Sequence, residues 1–234
     1  MIRDGTRFLG PLRPLAKRAA KFCFPRYSWL LDRLNWEARL QAAAKQFPGV
    51  VELASREDLY TQVSDGRLEG GRRAIDYLEF GVFEGASIRF WSSLNLNPES
   101  RFYGFDSFEG LPEDWHAGKR KGAFSTGGKL PDIADPRVRF VAGWFQTSLR
   151  GFMESYHPQR QLVIHVDCDI YSSALYCLTT LDPLLKPGTL IVFDDFFDAL
   201  HVYRALSDYC SAYLRQYQIL SRTHELGQVA IEML

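Results

Sequence analysis

From residue 74 onward the hydrophobic positions fall into short, nearly continuous runs separated by stretches of helical spacing. The runs are 75–80 (IDYLEF), 101–105 (RFYGF), 137–142 (RVRFVA), 162–167 (LVIHVD) and 189–194 (TLIVFD). Strands covered on both faces of a parallel sheet have this character, because neither face has to be polar. Helices are expected between them at 85–95, 146–156 and 172–184, the last stopped by Lys186-Pro187-Gly188. After a further helix at about 199–214 come two closing runs, 217–222 and 227–233, joined by His224-Glu225-Leu226-Gly227. So short a join forces antiparallel pairing. The expected fold is therefore α/β: a Rossmann-like, seven-stranded, mostly parallel sheet with an antiparallel C-terminal hairpin and helices on both faces. Such a closing hairpin is the arrangement expected of a class I methyltransferase fold rather than of a purely parallel dinucleotide-binding fold.

Before residue 66 the pattern differs. Trp29, Leu30, Leu31, Leu34 and Trp36 recur at helical spacing, and a second helical stretch is expected near 38–47. Residues 1–65 thus read as a basic arm and helical subdomain, and 66–234 as the main domain.

Composition and charge narrow the function. The 234 residues are 46% hydrophobic and 24% charged, a globular balance, and 28 basic residues offset 28 acidic ones, which argues against a nucleic-acid partner. No apolar window approaches the roughly 18 residues of a spanning helix. Cys23, Cys168, Cys177 and Cys210 are scattered without a CxxC pair, so a reducing, cytoplasmic setting is expected. The neutral total conceals an asymmetry. Residues 1–26 hold Arg3, Arg7, Arg13, Lys17, Arg18, Lys21 and Arg26 against Asp4 alone, a local charge of +6. Peripheral contact with an anionic membrane, recruitment to an acidic partner, and a solvated or subunit-packing arm of a homo-oligomer all suit it. Pro11, Pro14 and Pro25 are expected to interrupt any long helix there.

In open α/β sheets ligands lie beyond the carboxyl ends of the strands, near the reversal of strand order. The first run of the main domain ends in Glu79-Phe80-Gly81-Val82-Phe83-Glu84-Gly85-Ala86-Ser87. Glycines at 81 and 85 allow a tight turn, and the helix that follows offers free N–H groups to a ligand. An ordinary strand-to-helix turn has the same look. Asp106, twenty-five residues after Gly81, stands where an acid receives ribose hydroxyls. An adenosine-containing cofactor fits both loops. A nicotinamide dinucleotide would too, but the full G-x-G-x-x-G and any Tyr-x-x-x-Lys pair are absent.

The remaining strand ends are acidic. His165-Val166-Asp167-Cys168-Asp169 and Phe193-Asp194-Asp195 would bring up to four carboxylates into one crevice, unfavourable unless some are protonated or a cation sits between them. Oxygen ligands on a hard site suggest magnesium, with other divalent cations as alternatives. Helix capping by Asp169 and Asp195 is the plainer reading of one acid per strand. His165 reads as a hydrogen-bonded core histidine. His201 reads as a surface residue or an auxiliary base. The glycine-rich stretch 112–131, with His116 and Lys119, reads as a lid.

Taken together, YLEFGVFEGASI (77–88), FYGFDSFEGLPEDW (102–115), KGAFS (121–125), GWF (143–145), HVDCDIYSS (165–173) and KPGTLIVFDDF (186–196) resemble the macrocin O-methyltransferase family. That family comprises metal-dependent sugar O-methyltransferases that use S-adenosylmethionine. The resemblance implies that Glu79, Gly81, Gly85 and Ser87 line the methionine end and that Asp106 and Ser107 hold the ribose. It places the adenine beside Gly143, Trp144 and Phe145. It makes Asp167, Asp194 and Asp195 ligands of Mg2+ or another divalent cation, with Asp167 also beside the cofactor, and it puts Asp169 at the general-base position. After Asp195 the chain departs from the family pattern, in a segment that shapes the acceptor pocket. The acceptor expected is a hydroxylated small molecule or sugar. A glycan or lipid-linked sugar at a membrane, and a non-catalytic cofactor-binding module, are the alternatives. Phe83, Phe108, Trp115, Trp144 and Tyr171 are candidate aromatic walls for a sulfonium.

Overall fold

The computed structural model describes residues 13–45, 49–116 and 118–234, the side chains of 13–28 excepted. In chain order the elements are α1 Arg13–Ala44, β1 Val51–Leu53, α2 Arg56–Arg67, β2 Ile75–Phe80, α3 Ala86–Leu94, β3 Arg101–Asp106 and β4 Val138–Ala142. They continue with α4 Phe145–Ser155, β5 Gln161–Val166, α5 Tyr171–Leu181, β6 Leu190–Phe193, α6 Val202–Tyr213, β7 Tyr217–Thr223 and β8 Val229–Met233. Every strand expected from the apolar runs is present. The sheet order is β1-β7-β8-β6-β5-β2-β3-β4. Only β8 runs against the others, antiparallel to both β6 and β7, so the closing hairpin forms as expected.

The expected count of seven strands is corrected to eight. β1 adds to the outer edge, pairing parallel with β7 in the register Val51↔Ser221 to Leu53↔Thr223. Three residues with mostly exposed side chains leave no apolar run to read. An edge position, the ion pair of Glu52 with Arg222 (2.5 Å) and its hydrogen bond with His224 (3.1 Å) define the strand instead. Residues 51–65, expected in the N-terminal subdomain, thus supply a strand and most of a helix to the layers around the sheet.

Alternation along each central strand sends side chains to two cores, as a period of two requires. Leu78, Phe80, Ile164, Val166, Ile191 and Phe193 pack with α4, α5 and α6 on one face. Tyr77, Val163 and Val192 pack on the other with Leu59, Tyr60 and Val63 of α2 and Trp91 of α3.

The N-terminal region is also corrected. Rather than two helices broken by prolines, α1 runs for 32 residues through Pro25. Pro14 falls in the first turn, where its missing N–H removes no bond, and an interior proline deletes one bond that a long helix can carry. Trp36 and Leu40 are buried, Trp36 edge-on to Tyr203 at 6.3 Å, whereas Trp29, Leu30, Leu31 and Leu34 are exposed. The charged side chains of residues 1–26 lie outside the described residues. Among the described residues no helix is long and apolar enough to cross a membrane.

Candidate active site

The parallel ladder continues one residue beyond four strand ends, and this aligns the functional loops. Gly81 N–H donates to Phe105 O, Gly143 N–H to Asp106 O and Asp167 N–H to Phe80 O, each at 2.9 Å, and Asp194 N–H donates to Val166 O at 3.0 Å. Strand order reverses between β2 and β5, so these ends flank the switch point. A cavity of about 680 Å³ opens there, within the range for small-molecule sites.

Gly81 is fixed by contact rather than by flexibility alone. At φ +94°, an added Cβ would lie 1.7 Å from the carbonyl oxygen of Asp167. The turn it makes brings Ala86 and Ser87, at the start of α3, to the cavity wall. The first N–H groups of a helix have no intrahelical acceptor and carry partial positive charge, so they suit an anionic ligand group.

Asp106 and Ser107 line the cavity, but Asp106 has a structural task that the sequence did not reveal. Its Oδ2 accepts from Val82 N–H (2.8 Å) and Phe83 N–H (2.9 Å), and its Oδ1 from Phe108 N–H (2.7 Å). The expectation that Asp106 is a solvent-facing acid free of the framework is therefore corrected. One lone pair on Oδ1 remains for a ribose hydroxyl.

Glu79 does not line the cavity. It is fully buried and accepts from the Tyr77 hydroxyl and, at 3.0 Å, from Ser87 Oγ; it would act on a ligand through Ser87. His165 completes this network as the core histidine expected, between Tyr60 Oη at 3.4 Å and Tyr77 Oη at 3.0 Å. Gly85, the N-cap of α3 beside Pro131, and Gly143 do not line the cavity, whereas Trp144 and Phe145 do. Of the candidate aromatic walls, Phe83, Trp115 and Trp144 line the cavity. Phe108 is core, and Tyr171 donates its hydroxyl to Asp208 under the Arg204 guanidinium.

The acids converge as two overlapping sets. Oxygens of Asp167, Asp169 and Asp195 lie within 4.8 Å of one another, and Asp167 also falls within 4.8 Å of Asp194 and of a ring nitrogen of His165. Asp169 (φ +60°) and Asp195 (φ +48°) both adopt the left-handed conformation, which is strained for residues with a side chain and is characteristic of functional loops. Burial, and then the charge of Asp195, pushes the Asp169 carboxyl up to about 8 in the cation-free protein. Burial and the charge of Asp194 raise Asp195 to about 6. Asp167 is raised for the same reasons. Protons here substitute for positive charge that the cluster otherwise lacks. The open set of Asp167, Asp169 and Asp195 offers only hard oxygens at spacings a divalent cation bridges, so these residues fit such an ion. Asp169, expected as a base alone, belongs to the open set. Asp194 is the most buried, at 7% exposure.

Two cavity residues beside Asp194 escaped the sequence reading. Gln228, between β7 and β8, donates to Asp194 Oδ1 at 2.5 Å, and Arg56, opening α2, places Nη1 3.9 Å from Asp194 Oδ2. Neither belongs to a motif, and both arrive through pairing of distant segments. The lid stretch closes one side of the cavity with Trp115, His116 and Lys119. It is tied down by Trp115 Nε1–H to Asp198 (2.8 Å) and Ser172 Oγ–H to Glu113 (2.6 Å). His201 is half-buried and is not part of the cavity wall. Its Nδ1 accepts the Tyr171 N–H at 3.2 Å, and burial lowers its pKa.

Such a site, glycine turn and acid cluster facing one cavity at the switch point of a sheet with a single antiparallel strand, defines a class I methyltransferase fold. A family model described as a methyltransferase domain matches residues 78–196, and the chain belongs to that family. Among curated relatives, 8-demethyl-8-(2,3-dimethoxy-alpha-L-rhamnosyl)-tetracenomycin-C 4'-O-methyltransferase of Streptomyces olivaceus is 32% identical over 154 residues, covering 55% of this chain and 58% of that one. Demethyldecarbamoylnovobiocin O-methyltransferase of Streptomyces niveus is 27% identical over 185 residues, covering 64% and 69%. The chain thus spans little more than half the length of the first of these relatives. The solved O-methyltransferase NovP superposes with a TM-score of 0.56 at 24% identity, over 76% of this chain and 78% of its own, a likeness of fold.

Proposed function

We propose that this chain is an S-adenosylmethionine-dependent, divalent-metal-assisted O-methyltransferase of the macrocin O-methyltransferase type, acting on a hydroxyl of a sugar or small molecule. The observation that carries the reading is the meeting of the Gly81–Ser87 turn and the Asp167, Asp169 and Asp195 carboxylates in one cavity. The relatives named above are O-methyltransferases, and the name of one includes a rhamnosyl group, which supports a hydroxylated acceptor. The domain in this reading spans residues 51–234, with β1 and α2 included, and residues 1–50 form the N-terminal region.

In this reading the cofactor supplies an electrophilic methyl group, and Mg2+ or another divalent cation held by Asp167, Asp195 and Asp194 supplies Lewis acidity at the acceptor oxygen. The remaining tasks belong to the chain. Ala86 and Ser87 amides receive the carboxylate of the methionyl end, while Asp106 and Ser107 take the ribose. Trp144 and Phe145 flank the adenine. Asp169 accepts the proton of the acceptor hydroxyl as attack begins. Holding nucleophile, methyl carbon and sulfur in line is worth roughly 7–11 kcal/mol of the barrier. The lid residues Trp115 and Lys119 exclude water from that line.

Calorimetry with S-adenosylmethionine and S-adenosylhomocysteine, with and without magnesium, tests the cofactor and metal halves separately. A screen of hydroxylated acceptors with a labelled methyl donor tests the reaction. Absence of cofactor binding would end this reading; binding without transfer to any hydroxyl would leave the cofactor-binding module.

A further inference from the structure

Asp194 is gripped at both carboxylate oxygens by residues from opposite ends of the chain. Its Oδ1 accepts from Gln228 Nε2 at 2.5 Å and from the N–H of Asp195 at 2.9 Å. Its Oδ2 faces Arg56 Nη1 at 3.9 Å. The Gln228 amide cannot turn over at no cost. Thr223 Oγ1 lies 2.9 Å from Gln228 Oε1 and 2.7 Å from Gln228 N. The backbone N–H has to donate in that pair, so the single hydroxyl proton of Thr223 goes to Oε1 and the NH2 end is turned onto Asp194. Arg56, with its side chain 38% exposed, has a second partner in Glu57 at 3.2 Å.

We infer that Gln228 and Arg56 are positioning residues with opposite effects on the cation site. Gln228, bonded to Oδ1, fixes the orientation of the Asp194 carboxylate beside Asp167. Arg56 supplies positive charge at Oδ2 and competes with a divalent cation for Asp194. The inference rests on the metal-assisted reading above. Donors behind a ligating carboxylate commonly set metal affinity by 10- to 100-fold. A guanidinium 3.9 Å from an oxygen of a ligating carboxylate opposes a cation on that carboxylate by Coulomb repulsion in a partly solvated site, worth about three- to tenfold in affinity.

The test is manganese affinity of the full chain, read by the electron paramagnetic resonance of free Mn2+ without methyl donor or acceptor. Gln228→Leu should weaken binding by about 10-fold or more. Thr223→Val, which removes only the orienting hydroxyl, should weaken it less, and it supplies the reading if Gln228→Leu does not fold. Arg56→Gln should tighten binding about three- to tenfold. General loss of structure weakens binding in every variant, so the opposite signs distinguish positioning from damage. A wild-type chain that holds Mn2+ while Arg56→Gln and the Gln228 or Thr223 variants shift in the same direction, or not at all, overturns this inference alone. A wild-type chain that holds no Mn2+ overturns the metal reading and this inference with it.

Discussion

The carboxylate of Asp106 lies 2.8 Å from the backbone nitrogen of Val82, and that bond, with its companion to Phe83, joins the end of β3 to the turn after β2. An acid expected to serve a ligand therefore also builds the turn that the ligand meets. Asp106→Ala should lower thermal stability even without cofactor, by roughly 1.5–3 kcal/mol for the lost charged acceptor, and weaken cofactor binding as well. Thermal melts of the cofactor-free protein check the first effect and calorimetry the second. An unchanged melting temperature would mean that the turn stands without Asp106.

Asp169→Asn should keep cofactor affinity, since the amide is nearly isosteric, and lower turnover by roughly 10²–10⁴-fold. Higher pH should partly restore it, because hydroxide substitutes for a missing base. Asp167→Asn should lose metal affinity first and show no such recovery. Parallel magnesium titrations of the two variants are needed, because the four acids titrate together.

Stability in the absence of metal should fall as pH rises. Asp169 at about 8 and Asp195 at about 6 lie above the roughly 3.9 of an unfolded aspartate, so the folded state binds more protons in between. Their contribution is fully present below about pH 4 and is lost as pH passes through 6 and then 8. The slope is about 1.4 kcal/mol per pH unit for each proton held. Melts in chelator from pH 4.5 to 8.5 should show the decline, and saturating Mg2+ should flatten or reverse it, since the cation requires the ionised acids. A chelated protein whose melting temperature rises across pH 6–8 would contradict the cluster's electrostatics.

Two glycines separate contact from flexibility. Gly81→Ala should prevent stable folding or abolish cofactor binding, because the methyl group would meet the Asp167 carbonyl at 1.7 Å and φ is +94°. Gly151→Ala, on the exposed face of α4 with nothing within 4 Å of the added Cβ, should be neutral or stabilise by about 0.5–1 kcal/mol. Denaturant melts of both variants decide it.

Much of this molecule was legible before any coordinates. Apolar runs such as IDYLEF and TLIVFD had no other economical reading than strands buried on both faces, and the short His224–Gly227 join left no parallel alternative for its flanking strands. The acids at 167, 169, 194 and 195 were visible because each follows such a run, and strand ends are where ligands meet an α/β sheet. Local pattern could not show what depends on pairing between distant segments. β1 exists because β7 offers it an edge, and its three residues carry no signal of their own. Arg56 and Gln228 stand 172 positions apart, yet both reach Asp194, because β1 and β8 flank β7 and carry the segments next to them toward the same sheet end. The withdrawal of Glu79 from the cavity likewise turned on Tyr77, Ser87 and His165 closing around it. Which residues could form strands was a matter of side-chain period; which carboxylates face a ligand and which hold the framework was decided by hydrogen-bond partners that only the assembled sheet brings together.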